Sequence, residues 1–365
     1  MALLEMALEL RNRQLVEPII LMPKVAPGYQ KNNLYSACKK YQIECHSYSF
    51  YRFNNTKRFA SYLRCLTNLL CYPYIFWKMK GQYFDLIHSN GSVVSLGAYL
   101  SRIKKVPHVW HFREAAALHY GSISLPGKQY EKWVYSRGDA YIAISNALKT
   151  YCAGFLNVEK LKMIYDGINS KEGKGLAMHN GNVLQLCMVG LIHPPKNQLL
   201  ALEAIDIIVN EWGLRNVHIT FIGYEERVYM ERLNAFIKQK NIEKYVTFLG
   251  ERNDVAQQLI GMDVGLMLSN FEAFGRVTVE YMLHGLAVIA TETGANPELV
   301  DNNTGLLCQL GDSRQLATHI RYLYENRGKL IDFSKNGHAK VINLFSTEKN
   351  ATQVYEVYLS LLKVR

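Results

Sequence analysis

A chain of 365 residues, 49% of them apolar and 20% charged, is long enough for two ordinary domains that each bury a core, and its composition excludes a disordered, collagen-like or disulfide-stapled protein. The formal net charge of +11 suits an anionic partner, yet no nucleic-acid-binding motif accompanies it, so nucleic acid is not an expected partner. The seven cysteines, at 38, 45, 65, 71, 152, 187 and 308, form no C-x-x-C pair and no Cys/His cluster, which points to a reduced, cytosolic setting without a metal site.

From the N-terminus, the first ten residues lack the basic start and unbroken apolar run of a signal peptide. A strand is expected over 18–21. Between 45 and 84 there is no Asp or Glu, while Arg52, Lys57, Arg58, Arg64, Lys78 and Lys80 are interleaved with Tyr48, Phe50, Tyr51, Phe53, Phe59, Tyr62, Tyr72, Tyr74, Phe76 and Trp77. This stretch has two readings: a surface for an anionic membrane, with rings at headgroup depth and cations on the phosphates, or aromatics packed in a first domain with solvated cations beside them. Its most apolar part, 65–77, is shorter than the ~20 residues of a membrane span and contains Pro73. Strand-to-loop passages follow at 84–91 and 106–114, bringing His88, His108 and His111. An imidazole at a strand end can donate to a hydroxyl or to a developing oxyanion, and is as readily structural.

Residues 169–182 gather Ser, Gly, Lys and Asn without apolar periodicity and read as a linker. A strand over 183–189 then runs into Gly190-Leu191-Ile192-His193-Pro194-Pro195-Lys196-Asn197-Gln198 and a helix reaching about 210. Arg252 follows a strand at 246–249. After a buried strand at 264–269 comes Asn270-Phe271-Glu272-Ala273-Phe274-Gly275-Arg276-Val277-Thr278-Val279-Glu280, with two carboxylates eight residues apart around a glycine turn and a helix start. A carboxylate can accept from two adjacent hydroxyls, as in a ribose or a sugar. The amides of Phe274, Gly275 and Arg276 at a helix N-terminus suit a phosphate. The plain alternative is a surface helix with Glu272 as a cap and Glu280 in solvent. A strand at 286–291, the turn Gly294-Ala295-Asn296 with Pro297-Glu298, and Asp301-Asn302-Asn303-Thr304-Gly305-Leu306-Leu307 continue the pattern, and 347–365 is an amphipathic helix.

From Glu272 to Leu307 the chain resembles the family-4 retaining glycosyltransferases of the GT-B fold, which carry two glutamates separated by seven residues, a strand, a small-residue turn with Pro-Glu and an Asn/Asp-Gly-x-Thr-Gly-leucine run. The loop at 190–198 is similar to the family's first donor-domain loop, with Lys196 in the place of its diphosphate lysine. Residues 140–147 and 163–168 resemble the last two strands of the N-terminal domain. The resemblance implies an α/β protein of two Rossmann-like domains with parallel sheets facing across a cleft. Their bounds are 1–168 on the acceptor side, a linker at 169–182, a nucleotide-sugar domain at 183–346, and a helix at 347–365 crossing back.

It further implies a retaining, metal-independent transfer of a sugar from a UDP- or GDP-sugar to a glycan or lipid-linked acceptor, with no cofactor, in cell-surface polysaccharide or glycolipid synthesis. Such an enzyme is cytoplasmic; on the membrane reading of 45–84 given above it would be peripheral on the inner face of the cytoplasmic membrane. His111 and Glu272 are the expected catalytic residues, His111 facing the sugar. Lys196, Phe274, Gly275, Arg276 and Glu280 are the expected donor contacts, with Glu280 on the ribose and Arg252 toward the base. Two departures stand out. Leu191 takes the place of the family's loop arginine, which leaves Arg276 as the candidate substitute. Met1 lies where the family's first helix starts, so the usual first strand and its glycine-rich loop are missing, and an in-frame extension upstream is expected to encode them. Without those parts, a non-catalytic sugar-nucleotide-binding or scaffold protein is the alternative, and a sugar-nucleotide epimerase a more distant one.

Overall fold

A computed structural model describes residues 2–24, 34–51, 54–55, 58–115, 123–124, 127–170 and 181–363. The expected linker residues 171–180 and, in the basic aromatic stretch, Arg52, Phe53 and Lys57 lie outside the described residues. The chain divides into two units, Met1–Gly167 with Thr347–Arg365, and Ile168–Ser346.

In the first unit the strands are β1 (Ile19–Pro23), β2 (Glu44–Tyr48), β3 (Asn54–Asn55), β4 (Ile87–Asn90), β5 (His108–Phe112), β6 (Ile123–Ser124), β7 (Ala140–Ala143) and β8 (Leu161–Met163). β4, β5, β7 and β8 form a parallel sheet in that order, β1 pairs parallel with β2, and β3 pairs antiparallel with β6. All five residues of β5 are buried, as expected of a central strand covered on both faces. The ladder of β8 runs only from Leu161, opposite Tyr141, to Met163, opposite Ala143, so this strand lies earlier than the 163–168 read from sequence. One face of the sheet is closed by the helices Ala2–Asn12 and Thr347–Leu362: Met6 and Leu10 meet Val354, Val357 and Tyr358 over Val109 and Ile142. The last helix is set by a close approach, since a Cβ on Gly167 would lie 2.6 Å from the Thr347 backbone, and the Asn350 amide donates to the Tyr165 carbonyl at 2.6 Å.

The second unit contains β9 (Leu184–Val189), β10 (Val217–Ile222), β11 (Val246–Phe248), β12 (Val264–Met267), β13 (Ala287–Thr291) and β14 (Gly305–Cys308). All pair parallel in the order β11-β10-β9-β12-β13-β14. Apolar runs dominate these strands because helices cover both faces of such a sheet. The helix after β9 is α-helical over Gln198–Asp206 and continues as a π-helical turn, Ile207–Glu211. The strand order reverses between β9 and β12, and that reversal opens a crevice at their carboxyl ends, where this class of sheet binds ligands.

Candidate functional site

At the carboxyl end of β9 the chain leaves the sheet through Gly190 and enters a single 3-10 turn, Pro194–Lys196, closed by Asn197 in the left-handed conformation (φ 59°). Asn197 ties this loop to the one after β12: its amide donates to the Leu268 carbonyl at 2.8 Å and to Asn270 Oδ1 at 2.6 Å. The Asn270 N-H donates to the Pro195 carbonyl at 2.9 Å. Lys196 is thereby brought against Glu272, and the two form an ion pair, with Ser269 Oγ donating to the same carboxylate oxygen at 2.7 Å. The Glu272 side chain is largely buried, whereas that of Lys196 is about a third exposed. Its partner charge compensates the desolvated carboxylate.

A third loop closes on Glu272 from behind. The Ala295 N-H donates to the Glu272 carbonyl at 2.9 Å, and Gly294 (φ 54°) passes so near that a Cβ would sit 2.3 Å from that oxygen. Gly275, at φ 88°, then caps the helix Arg276–Leu283. Phe274 is buried edge-on against Phe345 at 5.5 Å. Tyr281 pins this helix to β9, because the Val189 N-H donates to its hydroxyl at 2.6 Å. Glu280 lies half-buried in the second turn and Arg276 half-buried in the first.

Lys196, Glu272, Phe274, Gly275 and Arg276 are thus gathered at the switch between β9 and β12. Arg252 is placed elsewhere, after the edge strand β11, where it is held by Asp254 through bonds of 2.9 and 3.0 Å. Leu191 is exposed.

Sequence reasoning missed several neighbours of this site. Thr278 Oγ1 and Asn296 Oδ1 are buried polar atoms with no partner among the described residues, and both lie beside Gly275, within 3.3 and 3.6 Å of where its Cβ would be. Buried polar atoms left open in this way are unusual in folded proteins. Asn296 stands in a small-residue turn whose spacing was visible, but its inward orientation depends on its amide donating to the Thr291 carbonyl at 3.0 Å.

In the first unit the three candidate histidines divide, with His88 beside His111 and His108 apart from both. His108 and His111 lie three residues apart on β5 and so face opposite sides of the sheet. His108 bonds Ser89 Oγ at 2.8 Å and packs on Trp110. His111 is fully buried, with Nδ1 3.3 Å from His88 Nε2, while His88 Nδ1 lies 2.7 Å from the Tyr358 hydroxyl. His111 Nε2 has no partner among the described residues. Burial first, then the Arg113 guanidinium, pulls His88 down to about 3 and holds His111 well below the ordinary imidazole range, so both are neutral at pH 7. Arg113 itself pairs with Asp166 and donates to Asn90.

A reversed parallel sheet with a cation, a carboxylate and a helix start at its switch point describes a nucleotide-binding α/β enzyme. The profile described as Glycosyltransferase Family 4 matches residues 3–172, and that described as Glycosyl transferases group 1 matches 184–326. Together they run through both units, and the chain belongs to the family-4 glycosyltransferases. An N-acetyl-alpha-D-glucosaminyl L-malate synthase of Bacillus anthracis is 32% identical over 35% of this chain and 34% of its own length. A UDP-Gal:alpha-D-GlcNAc-diphosphoundecaprenol alpha-1,3-galactosyltransferase of Escherichia coli is 24% identical over 78% of this chain and 77% of that enzyme. Among solved structures, Anabaena Alr3699/HepE in complex with UDP matches with a TM-score of 0.76 and 21% identity, over 94% of this chain and all of the other. The fold is GT-B, and the protein is a glycosyltransferase whose relatives act in polysaccharide, lipopolysaccharide core and capsule synthesis.

Proposed function

We propose that this enzyme transfers a sugar from a UDP- or GDP-sugar to a hydroxyl of a glycan or lipid-linked acceptor, with retention of anomeric configuration and without a catalytic metal. The observation that carries the reading is the convergence of Lys196, Glu272 and the Gly275 helix start at the β9/β12 switch point. Lys196 and the amides at Gly275 and Arg276 would offset the diphosphate charge. Glu280 would hold the ribose diol, Glu272 the sugar, and His111 a sugar hydroxyl through a neutral imidazole. Arg252 remains the proposed base contact, which requires it to leave Asp254.

The transfer follows as a same-face displacement. The bond from the anomeric carbon to the phosphate oxygen breaks, the acceptor oxygen bonds the same face of that carbon, and the departing phosphate takes the acceptor's proton. The protein's part is to position donor and acceptor and to stabilise the leaving charge. On this reading the second unit binds the donor and the first the acceptor, and the enzyme works in the cytoplasm or peripherally on the inner face of the cytoplasmic membrane. The E. coli relative's diphosphoundecaprenol acceptor supports a lipid-linked substrate here.

A thermal-shift panel of UDP- and GDP-sugars tests the donor reading. At one hundred times its dissociation constant the true donor stabilises by about 2.7 kcal/mol, and Glu280→Ala should reduce that shift. No response to any nucleotide sugar, or an unchanged response in Glu280→Ala, would count against the donor site or the ribose role respectively. Stereochemistry is read by NMR of the product, and metal independence by transfer in excess chelator.

A further inference from the structure

The helix Arg58–Lys78 buries one face and leaves the other bare. Asn68, Tyr72, Ile75 and Met79 point into the first unit. On the opposite side Phe59, Leu63, Leu66, Leu70 and Trp77 succeed one another at helical spacing and are all exposed, Phe59 by 82%, Leu70 by 71% and Trp77 by 64%. Leu69 and Tyr74 widen the strip. From Phe59 to Trp77 the ridge is roughly 27 Å long at 1.5 Å per residue. Contiguous apolar surface of this extent on a single element marks an interaction site rather than ordinary surface.

The orientation is enforced from below. The Asn68 side chain bonds both the N-H and the carbonyl of Tyr51, at 2.8 and 2.9 Å, and the Tyr72 hydroxyl lies 3.1 Å from Ser95 Oγ. Lys104 Nζ donates to the carbonyls of Met79, Lys80 and Gln82 at 2.5, 3.0 and 2.6 Å, a cation fixed at the helix C-terminus. The helix cannot turn its apolar ridge inward without breaking all three anchors.

We infer that this ridge seats the protein on an anionic lipid surface, with the helix lying in the plane of the interface. The charge pattern selects the bilayer over a second copy of the chain. From 45 to 84 there is no Asp or Glu, and Lys78 and Lys80 are exposed at the end of the ridge, with Lys78 Nζ 4.9 Å from the Trp77 ring centroid and 5.7 Å from that of Tyr74. A two-fold contact of this face with itself would bring such cations together with no carboxylate from the same stretch to pair with them, whereas lipid phosphates neutralise them directly. Tyr74 and Trp77 suit headgroup depth, and Phe59, Leu66 and Leu70 the acyl boundary. No helix among the described residues is long and apolar enough to cross a membrane, so the helix rests on the bilayer. This deepens the membrane side of the proposed function and rests on it, since a lipid-linked acceptor hydroxyl is met at that surface.

The full chain is tested by co-sedimentation with phosphatidylcholine vesicles, with and without about 30 mol % phosphatidylglycerol, the anionic component that basic residues attract. The chain should bind the anionic vesicles selectively. Leu66→Asp/Leu70→Asp should lower binding at least tenfold, and Lys78→Gln/Lys80→Gln by about fivefold per cation, converting the ~1 kcal/mol that each contributes near an anionic surface. Both variants alter exposed residues, so their melting temperature and their affinity for nucleotide sugar should match those of the parent, which separates this test from the donor reading. Equal binding by parent and Leu66→Asp/Leu70→Asp, no preference for anionic vesicles, or a parent dimer that the Leu variant makes monomeric while vesicles go unbound would each overturn the inference.

Discussion

Lys196 and Glu272 hold each other in the structure described here, so an anionic ligand must compete with a carboxylate for the same ammonium group. Lys196→Ala removes that cation, and a charge-assisted hydrogen bond is worth about 1.5–3 kcal/mol. Donor affinity measured by calorimetry should therefore fall roughly 10- to 150-fold; an unchanged affinity would remove Lys196 from the site. The buried histidines give a pH dependence. His88 and His108 have folded values pulled to about 3 and about 4, and His111 is likewise depressed, burial being the main cause in each. Above about pH 6.5 these groups are neutral whether the chain is folded or unfolded and contribute no difference. Below it the unfolded chain binds protons that the folded one refuses, so stability falls with pH, approaching ~1.4 kcal/mol per unit for each histidine. Urea midpoints should drop from pH 6.5 to 5, less steeply in His111→Gln; identical slopes would contradict the assignment. The loop lysine and the glutamate pair were legible as local patterns. Their contact was not, because it joins residues 76 apart, and the Tyr358 to His88 bond spans 270.

The helix Arg58–Lys78 shows what an element inherits from its surroundings. Its aromatics are distributed around the axis, so the sequence supports both a membrane face and a packed face, and the structure divides them: Tyr72 is buried and Phe76 half-buried, while Phe59, Tyr62, Tyr74 and Trp77 lie outside. Pro73 is carried within the helix on its exposed side, where the lost hydrogen bond is open to water. Lys104 secures the helix end across 22 to 25 residues, and nothing in the local pattern announces this. Lys104→Met keeps most of the apolar stem and removes the cation. It should lower stability by about 1–2 kcal/mol and raise hydrogen exchange in the segment 76–84 while leaving the second unit's exchange as it was. Unaltered exchange at the helix end would show that the three carbonyls are satisfied without it.

Across the whole molecule, the chain returns to its first unit at Thr347. Val354, Val357 and Tyr358 are buried against Met6, Leu10, Val109 and Ile142, and burying a large apolar side chain contributes about 1.5–3 kcal/mol. The sum of roughly 5–9 kcal/mol is comparable with the entire stability of a domain. A chain ending at Ser346 should therefore lose the calorimetric transition of the first unit and keep that of Ile168–Ser346; loss of both, or of neither, would refute that division of stability. The sequence by itself determined the class of sheet and the family, because alternating apolar strands and capped helices, turn glycines and motif spacing are properties of neighbours along the chain. Only the tertiary structure decided that Lys196 meets Glu272, that His111 is joined to the last helix through His88 and Tyr358, and which face of the basic aromatic helix is bare. Those outcomes depend on loops and faces brought together from distant parts of the chain, where packing and burial, rather than local preference, select the partner.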